Sequence, residues 1–583
     1  MLVSSFRSLV QHWRRYALAL VILFALVKVS LKVQENFPLS NFPMYGNPRP
    51  DDVDYYFLTD AKGNPLSTLD YAGITAPQIK KRLNTLLKAE KNRLKLKKST
   101  DVPLESRKKS AQIVLEKIYE DAKNKAQSGA KIKTWPEGVQ LIEGLISTTE
   151  AGFRESFRPL ASLQGVVPAA AVTPAPAPAA TESASAKDDA EVEVAAEVDP
   201  KSAPNNTSFG MIAAVADYLV LYGGMLVSLV VLLVAWKKLP SRMQSWLREG
   251  TGPLSVGRLE AFFIRLPLAY IFYQALTITV TYDSLPHPQG LAHWDYFHAV
   301  ILWTGNPENW SKVQLWSIPL LLWYVIGWGN LIPLTMLTLI HIFQRTLYAS
   351  QGAPHHGHQL VSLVFCAQTI VAWVLFVCRR FKVQSSWAKP GNETIPWIYM
   401  AVIIGCAYVI TAFEKWDESD GKWIANAHYF SNQIVKTHRQ NYYNDLNPVF
   451  IQGVPPAAQD TPDPANDRYR HPVPAQAHWM LMHPLLSKIF FSLGFIMEFT
   501  AFLLILNRGL AALFGVLIIA FHFLVLWLMQ LTFPLNVEVV FSICVNLTGW
   551  IIWWRFRKEP AGESIPSSPD PALPNTVPAA PAA

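Results

Sequence analysis

The stretch Gly327-Trp328-Gly329-Asn330, followed by Pro333, interrupts a long apolar run at residues 310–349. Glycine and proline disfavour a continuous helix at this point, so the run is expected to form two short helices. With this division, every basic connector falls on the same side of a membrane. The connectors contain Arg14 and Arg15, Lys237 to Arg258, Arg379 to Lys389, Arg508, and Arg555 to Lys558. Because cytoplasmic loops are enriched in Lys and Arg, the pattern predicts ten membrane passes with both termini cytoplasmic.

Other apolar segments have the length of membrane-spanning helices. They cover residues 16–33, 211–236, 258–281, 359–378, 396–414, 484–507, 509–533 and 537–555. The composition agrees, since 51% of the 583 residues are hydrophobic and only 16% are charged, whereas about a quarter of the residues in soluble domains are charged. The sequence therefore predicts an all-α polytopic membrane bundle of about ten transmembrane helices, with a small α+β extracytoplasmic insert.

The formal net charge of +8 lies mainly in loops and in one polar insert. The expected partner is thus a lipid bilayer and not a nucleic acid. The four cysteines lie in apolar segments without the spacing of metal ligands, so no metal site is expected. Motifs of zinc proteases, nucleotide-binding loops and serine esterases are absent from the sequence, which leaves those activities without support.

The chain divides into six predicted segments. They are a signal-anchor helix (1–33), the extracytoplasmic insert (34–158), an Ala/Pro-rich linker expected to be disordered (159–210), a second transmembrane helix with its cytoplasmic connector (211–257), the main membrane domain (258–556), and a cytoplasmic tail expected to be disordered (557–583). This arrangement predicts a multi-pass protein of a bacterial plasma (inner) membrane, with residues 34–210 outside the cytoplasm.

The insert combines strand and helix patterns. Tyr55 to Gly63 is typical of a strand with a turn at Asp60 to Gly63 and a returning strand. Residues 76–127 form a Lys-rich helical pair, interrupted at Ser99 to Pro103. This pair suits either an anionic or extracytoplasmic protein partner, or a face that is simply solvated.

His358 and Lys415 are the leading candidates for chemistry. One predicted helix runs down from His358 and the next returns to Lys415, which places both side chains on the extracytoplasmic face. An imidazole beside a desolvated amine can move protons near neutral pH. Alternatively, Lys415 extends to the membrane interface beside Trp416, and His358 belongs to a surface loop.

Three further polar residues lie within predicted spans. Glu498 precedes a tight turn and His522 lies in the middle of the following helix, so the two side chains could approach each other. Gln368 lies ten residues after His358. These groups could line a cofactor pocket, or they could form hydrogen bonds that hold helices together.

Several of these stretches resemble, in order and spacing, the membrane domain shared by vitamin K-dependent gamma-glutamyl carboxylase and its bacterial relatives, the HTTM-type proteins. The matching stretches are Arg258 to Thr281, the broken pair after Trp310, His358 with Gln368, Tyr408 to Asp417, and Gly494 to Phe523. The 57 positions between His358 and Lys415 are close to the spacing of the histidine and the lysine of the carboxylase. The resemblance covers about residues 255–556.

The resemblance implies a site for a reduced quinone of the vitamin K type, with O2 and CO2 as co-substrates and lyase-type chemistry. Lys415 would act as the base and His358 would stabilise the developing anion, while Trp416 and Trp423 would desolvate the amine. The chain departs from the family at Glu414, where the carboxylase has a second lysine. It also lacks a large domain after its membrane part, and its soluble mass is the 34–158 insert.

Three functions remain open from the sequence. The first is an enzyme that acts on a membrane quinol or another lipid-soluble substrate. The second is a non-enzymatic HTTM-like anchor or scaffold that presents the insert to a partner. The third is a transporter of a lipid or solute, with Glu498 and His522 along its path.

Overall fold

The computed structural model describes residues 13–33, 48, 53–96, 101–127, 129–149, 152–163, 208–248, 255–277, 291, 294–350, 356–382, 393–446, 453–454, 469 and 471–557. Two of the predicted segments lie largely outside these described residues. They are most of the 159–210 linker and the tail beyond Arg557.

The described chain is mostly helical and has one four-stranded sheet. In chain order the elements are α1 Trp13–Val33, β1 Val53–Thr59, β2 Pro65–Leu66, α2 Thr68–Ala72, α3 Ala76–Arg93, α4 Leu104–Gln127, β3 Gln140–Thr149, β4 Gly152–Ser162, α5 Ser208–Val234, α6 Ser241–Arg248, α7 Arg258–Thr277, α8 Asp295–Thr304, α9 Pro307–Ile326, α10 Leu331–Ser350, α11 His356–Arg380, α12 Thr394–Glu418, α13 Phe430–Asp445, β5 Gly453–Val454, β6 Val473–Pro474, α14 Ala475–Met482, α15 Pro484–Thr500, α16 Arg508–Met529, α17 Pro534–Val540 and α18 Leu547–Arg557.

Seven helical segments of the described chain are long and apolar enough to cross a membrane, which makes this a multi-pass membrane protein. They are Met211–Lys238, Arg258–Thr277, His356–Arg380, Thr394–Glu418, Pro484–Ile505, Arg508–Met529 and Pro534–Phe556. The expected count of ten is therefore not met. The predicted span 16–33, which belongs to α1, and the two halves of the 310–349 run, α9 and α10, fall outside the seven. Polar residues such as Lys312 in α9 and Arg345 in α10 interrupt their apolar character.

The break between α9 and α10 lies at Gly327, within the predicted interruption. Gly327 has a positive φ of 82°, a conformation that glycine adopts without steric cost. A Cβ atom at this position would also overlap the guanidinium of Arg265. Arg265 in turn forms an ion pair with Glu393 at 2.6 Å. The tight turn thus leaves room for a charged pair that joins α7 to the residue directly before α12.

Helix α12 is the central helix of the membrane bundle. It packs against α1, α11, α15 and the 3-10 turn Ala501–Ile505 that follows α15. At Gly405 the Ala501 carbonyl oxygen comes within 3.2 Å of the place where a Cβ would lie. A helix that is covered by others along its length gives its polar side chains a low-dielectric environment.

The four-stranded sheet is antiparallel, with the strand order β2-β1-β3-β4. Alternate residues of β1 face opposite sides of the sheet. Tyr56 and Leu58 pack in one core with α3 and α4. Tyr55 and Phe57 pack in a second core with α13, where the Phe57 ring stacks on Tyr443 at 4.0 Å. The sheet is therefore buried on both faces, and α13 covers one of them.

A buried ionic network fixes this sheet to α13. The Arg439 guanidinium donates to Glu155 on β4 at distances of 2.5 to 3.2 Å, and the Tyr55 hydroxyl donates to the same carboxylate at 2.9 Å. Arg439 also donates to the carbonyl oxygens of His471 and Pro472. Asn441 on α13 donates to Gln530 at the end of α16, at 3.0 Å. The sheet is thereby connected through α13 to a membrane-spanning helix.

Substitution of Arg439 by Met is expected to detach the sheet from α13. Arg439 is 1% exposed, and removal of one partner of a buried ion pair typically costs about 3–5 kcal/mol. Thermal unfolding and limited proteolysis of the purified full-length protein would measure the loss. Lys133→Met is the matched control, because the Lys133–Asp70 pair is solvent-exposed. Equal stability of the two variants would contradict this role for Arg439.

The same network makes the sheet sensitive to acid. Burial, together with the Arg439 charge, lowers the pKa of His471 to about 4. An unfolded histidine titrates at about 6.5, so the unfolded state binds more protons between these two values. Stability is therefore expected to be complete above pH 6.5 and to decrease as the pH falls towards 4. Hydrogen exchange over this range should show a smaller decrease in His471→Gln than in the wild type, and identical pH profiles would refute the assignment.

Candidate functional site

A lysine and a glutamate meet inside the membrane bundle. Lys415 comes from the last turn of α12, and Glu498 comes from the last turns of α15. The Lys415 Nζ atom lies 2.6 Å from Oε1 and 2.5 Å from Oε2 of Glu498. Only 7% of Lys415 and 2% of Glu498 are exposed. The amine therefore interacts with both oxygens of one carboxylate in surroundings that exclude water.

Aromatic rings enclose the amine of Lys415. The centroid of the Trp423 ring lies 4.9 Å from Nζ, and that of the Phe521 ring lies 6.0 Å away. Aromatic faces attract a cation, and the attraction is stronger where water is excluded. Trp423 itself packs against Phe430 and Phe495, with centroid distances of 5.2 and 5.7 Å. The site is thus a desolvated, aromatic-lined ion pair.

A second polar pair involves Tyr408, which lies two helical turns before Lys415 on α12. The Tyr408 hydroxyl is 2.7 Å from Nε2 of His522 on α16. Residues seven positions apart share one helix face, so Tyr408 and Lys415 point to the same side of α12. Nδ1 of His522 is buried and has no hydrogen-bond partner among the described residues. This pair could accept or donate a proton inside the bundle.

His358 lies in the first turn of α11 and is buried, while Lys415 lies in the last turn of the next helix, α12. The contacts of the Lys415 side chain described above go to Glu498, Trp423 and Phe521, and no hydrogen bond joins Lys415 to His358. The proposed direct partnership of the two residues is thus not a feature of this conformation.

The remaining predicted residues occupy three different environments. Gln368 accepts a hydrogen bond from Tyr324 of α9 at 2.9 Å, so it joins two helices. Trp416 is 56% exposed and lies on the outer side of its helix. Glu498 and His522 each have another partner, and no hydrogen bond joins them to each other.

Three interactions were not anticipated from the sequence. The sequence allowed Glu498 to approach His522, but the partner of Glu498 is Lys415, 83 positions earlier in the chain. Tyr408, the partner of His522, carried a usable signal, because it lies seven residues before Lys415 on the same helix face. The Arg439–Glu155 pair links residues 284 positions apart, and no local pattern marks it.

In the described part of the chain, no group of three or more His, Cys, Asp or Glu side chains is arranged to hold a metal ion. Comparison of the chain with protein-family models, curated proteins and solved structures gives no match. Functional assignment therefore depends on the geometry of the buried polar residues.

A double-mutant cycle should reveal strong coupling between Lys415 and Glu498. Lys415→Met leaves a carboxylate buried without its counter-charge, a change that typically costs about 3–5 kcal/mol. Lys415→Met combined with Glu498→Leu should cost less than the sum of the single changes, because neither charge is then left alone. Unfolding in detergent would measure each step, with the exposed neighbour Lys422→Met as the control. Additive effects would show that the pair is not an energetic unit.

Proposed function

We propose that this multi-pass membrane protein is an enzyme that transfers protons at the Lys415–Glu498 pair, with a lipid-soluble, weakly acidic substrate such as a quinol. The observation that carries the proposal is the contact of Nζ with both Glu498 oxygens in a buried, aromatic-lined site. Ionisable groups inside membrane bundles are costly and commonly mark functional sites.

The pair could supply a free amine without help from water. Transfer of one proton from the Lys415 ammonium to the Glu498 carboxylate gives a neutral amine and a neutral acid. Low-dielectric surroundings reduce the advantage of the charged form over the neutral form. The neutral amine can then accept the proton of a bound quinol hydroxyl, leaving a quinol anion beside a lysine ammonium. Glu498 is therefore the proton acceptor that prepares Lys415 to act as a base.

The resemblance to the carboxylase extends this proposal. It supports a carboxylase-like, oxygen-dependent reaction with a reduced vitamin K-type quinone, O2 and CO2, in which His358 stabilises the anion. It also supports an HTTM-like bundle in a bacterial inner membrane, with both termini cytoplasmic. These finer assignments depend on the order and spacing of residues in the sequence.

The test is quinol deprotonation by the purified full-length protein. A reduced naphthoquinone would be added in detergent without oxygen, and formation of its anion followed by absorbance. Lys415→Met should lower the rate at least about a hundredfold, in line with the usual contribution of a general base. Glu498→Gln should also lower it, because the amide cannot accept the lysine proton.

Arg508→Lys provides the control for this assay. Arg508 forms a different ion pair in the bundle, with Glu260 at 2.6 Å, and a lysine preserves its charge. It should react like the wild type. A quinol that remains neutral in the wild-type protein, or that ionises equally well in Lys415→Met, would reject the proposal. Identification of any quinone that co-purifies with the protein would name the natural substrate class.

A scaffold function is the second candidate. The buried Arg439–Glu155 network favours it, because it holds the sheet rigidly against α13. Under this alternative the membrane bundle presents the 34–158 segment to an extracytoplasmic partner. Loss of cellular function in Arg439→Met, with full function retained in Lys415→Met, would favour the scaffold over the enzyme.

A further inference from the structure

Glu538 is a buried carboxyl group that the proposed proton-transfer site does not use. It lies on α17, in the membrane-spanning segment Pro534–Phe556, and is 0% exposed. Neither Oε1 nor Oε2 has a hydrogen-bond partner among the described residues. Buried polar groups in proteins are nearly always paired, so an unpaired carboxyl group requires an explanation.

Two other buried carboxylates of the bundle show the usual arrangement. Glu498 is paired with Lys415. Glu260 is paired with Arg508 at 2.6 Å and also accepts a hydrogen bond from Asn546 at 2.8 Å. Glu538 differs from both because no described cation or donor contacts its carboxyl oxygens. The bundle therefore contains natural comparison groups for any experiment on Glu538.

The surroundings of Glu538 contain few polar groups. Its helix neighbours Val537, Val539 and Val540 are buried. The Ser542 hydroxyl donates to the Glu538 backbone carbonyl at 2.8 Å and is also bonded to the Tyr218 hydroxyl at 2.7 Å. The Ser542 hydroxyl therefore already has two hydrogen-bond partners other than the Glu538 carboxyl group. In the described part of the chain, no cluster of His, Cys, Asp and Glu side chains includes Glu538 as a set of metal ligands.

The elements packed against α17 are α5, α7, α11 and α16. Titratable side chains on these elements include Asp217 and Tyr218 on α5, Tyr270 on α7, His358 on α11 and His522 on α16. None of them forms a hydrogen bond with the carboxyl oxygens of Glu538. Among the described residues, no hydrogen-bond donor therefore neutralises a negative charge on this carboxyl group.

An ionised carboxylate without a partner loses several kcal/mol when it is transferred from water into such an environment, by order of magnitude. A carboxyl group that has bound a proton carries no charge and avoids most of this cost. The helix is also irregular directly after Glu538. A π-helical turn spans Phe541–Val545, and Asn546 has a positive φ of 41°. Such interruptions are common at functional sites of membrane helices.

We propose that Glu538 is a second proton-binding site: its carboxyl group holds a proton in the folded protein and exchanges it within the interrupted helix Pro534–Phe556. The ligand is a proton and not a metal ion. The site is separate from the Lys415–Glu498 pair and does not depend on the quinol chemistry proposed for that pair.

Carbodiimide labelling tests the proposal directly. Dicyclohexylcarbodiimide enters membranes and adds to protonated carboxyl groups but not to ion-paired carboxylates. The full-length protein in liposomes would be treated at pH 6 and at pH 9, and the modified residue identified by mass spectrometry. Glu538 should be labelled more at pH 6 than at pH 9, while Glu260, which is paired with Arg508, should remain unlabelled.

Each other result of the labelling contradicts the proposal. Absence of label on Glu538 would show that it holds no exchangeable proton. Equal labelling of Glu538 and Glu260 would show that Glu538 is not distinctive. Protection of Glu538 by sodium chloride, but not by choline chloride, would show that the ligand is a metal cation.

A stability measurement provides an independent test. The amide in Glu538→Gln imitates a neutral acid, so its melting temperature should remain within about 1 °C of the wild type, which corresponds to about 1 kcal/mol in a protein of this size. Glu260→Gln is the matched control and should melt at a clearly lower temperature, because it leaves the Arg508 charge unpaired. A loss in Glu538→Gln as large as that in Glu260→Gln would show that Glu538 is ionised in the fold and would overturn the proposal.

Discussion

Lys415 and Glu498 belong to different helices, and their contact holds the end of α12 against the end of α15. Two opposite charges in a water-poor bundle stabilise each other strongly, and either one alone would be costly. The pair therefore restricts how these two helices can lie, and it determines which face of α12 is turned inward. Tyr408 lies on that same face, and its hydroxyl contacts His522 on α16. A few polar contacts thus specify the arrangement of three helices whose apolar surfaces alone would fit in several ways.

At the opposite end of the bundle, buried polar contacts again hold helices together, through different residues. Arg508 contacts Glu260, and Asn546 donates to the same carboxylate, so that α7, α16 and the start of α18 are joined. Outside the spanning helices, Arg439 and Glu155 perform the equivalent task for the sheet. Glu538 is the exception among these carboxyl groups, and its isolation is the reason to assign it a proton instead of a counter-ion.

Local signals in the sequence were sufficient for much of the fold. The interruption at residues 327–330 was visible from two glycines and a nearby proline, and α9 and α10 separate there. Apolar segments such as 396–414 correspond closely to helices such as Thr394–Glu418. The count of ten spans was wrong by the criteria of length and apolarity, because α1, α9 and α10 are not among the seven segments that meet them.

The pairing of residues at the site was harder to predict from the sequence than the helices were. Lys415, Glu498 and His522 were recognised individually, because charged and imidazole side chains in apolar segments are conspicuous. Their pairing depends on the rotation of each helix about its own axis, and hydropathy contains little information about that rotation. The Arg439–Glu155 contact also joins two distant polar segments. Neither segment has a periodic pattern that would indicate its partner.

Trp423 belongs to two neighbourhoods at once. The Lys415 amine lies over the Trp423 ring, and the same ring packs against Phe430. Phe430 is the first residue of α13, the helix that packs on the sheet. The indole therefore couples the packing around the Lys415 amine to the position of α13, on which the sheet packs. Any change in the position of Phe430 would alter the aromatic cover over this buried charge.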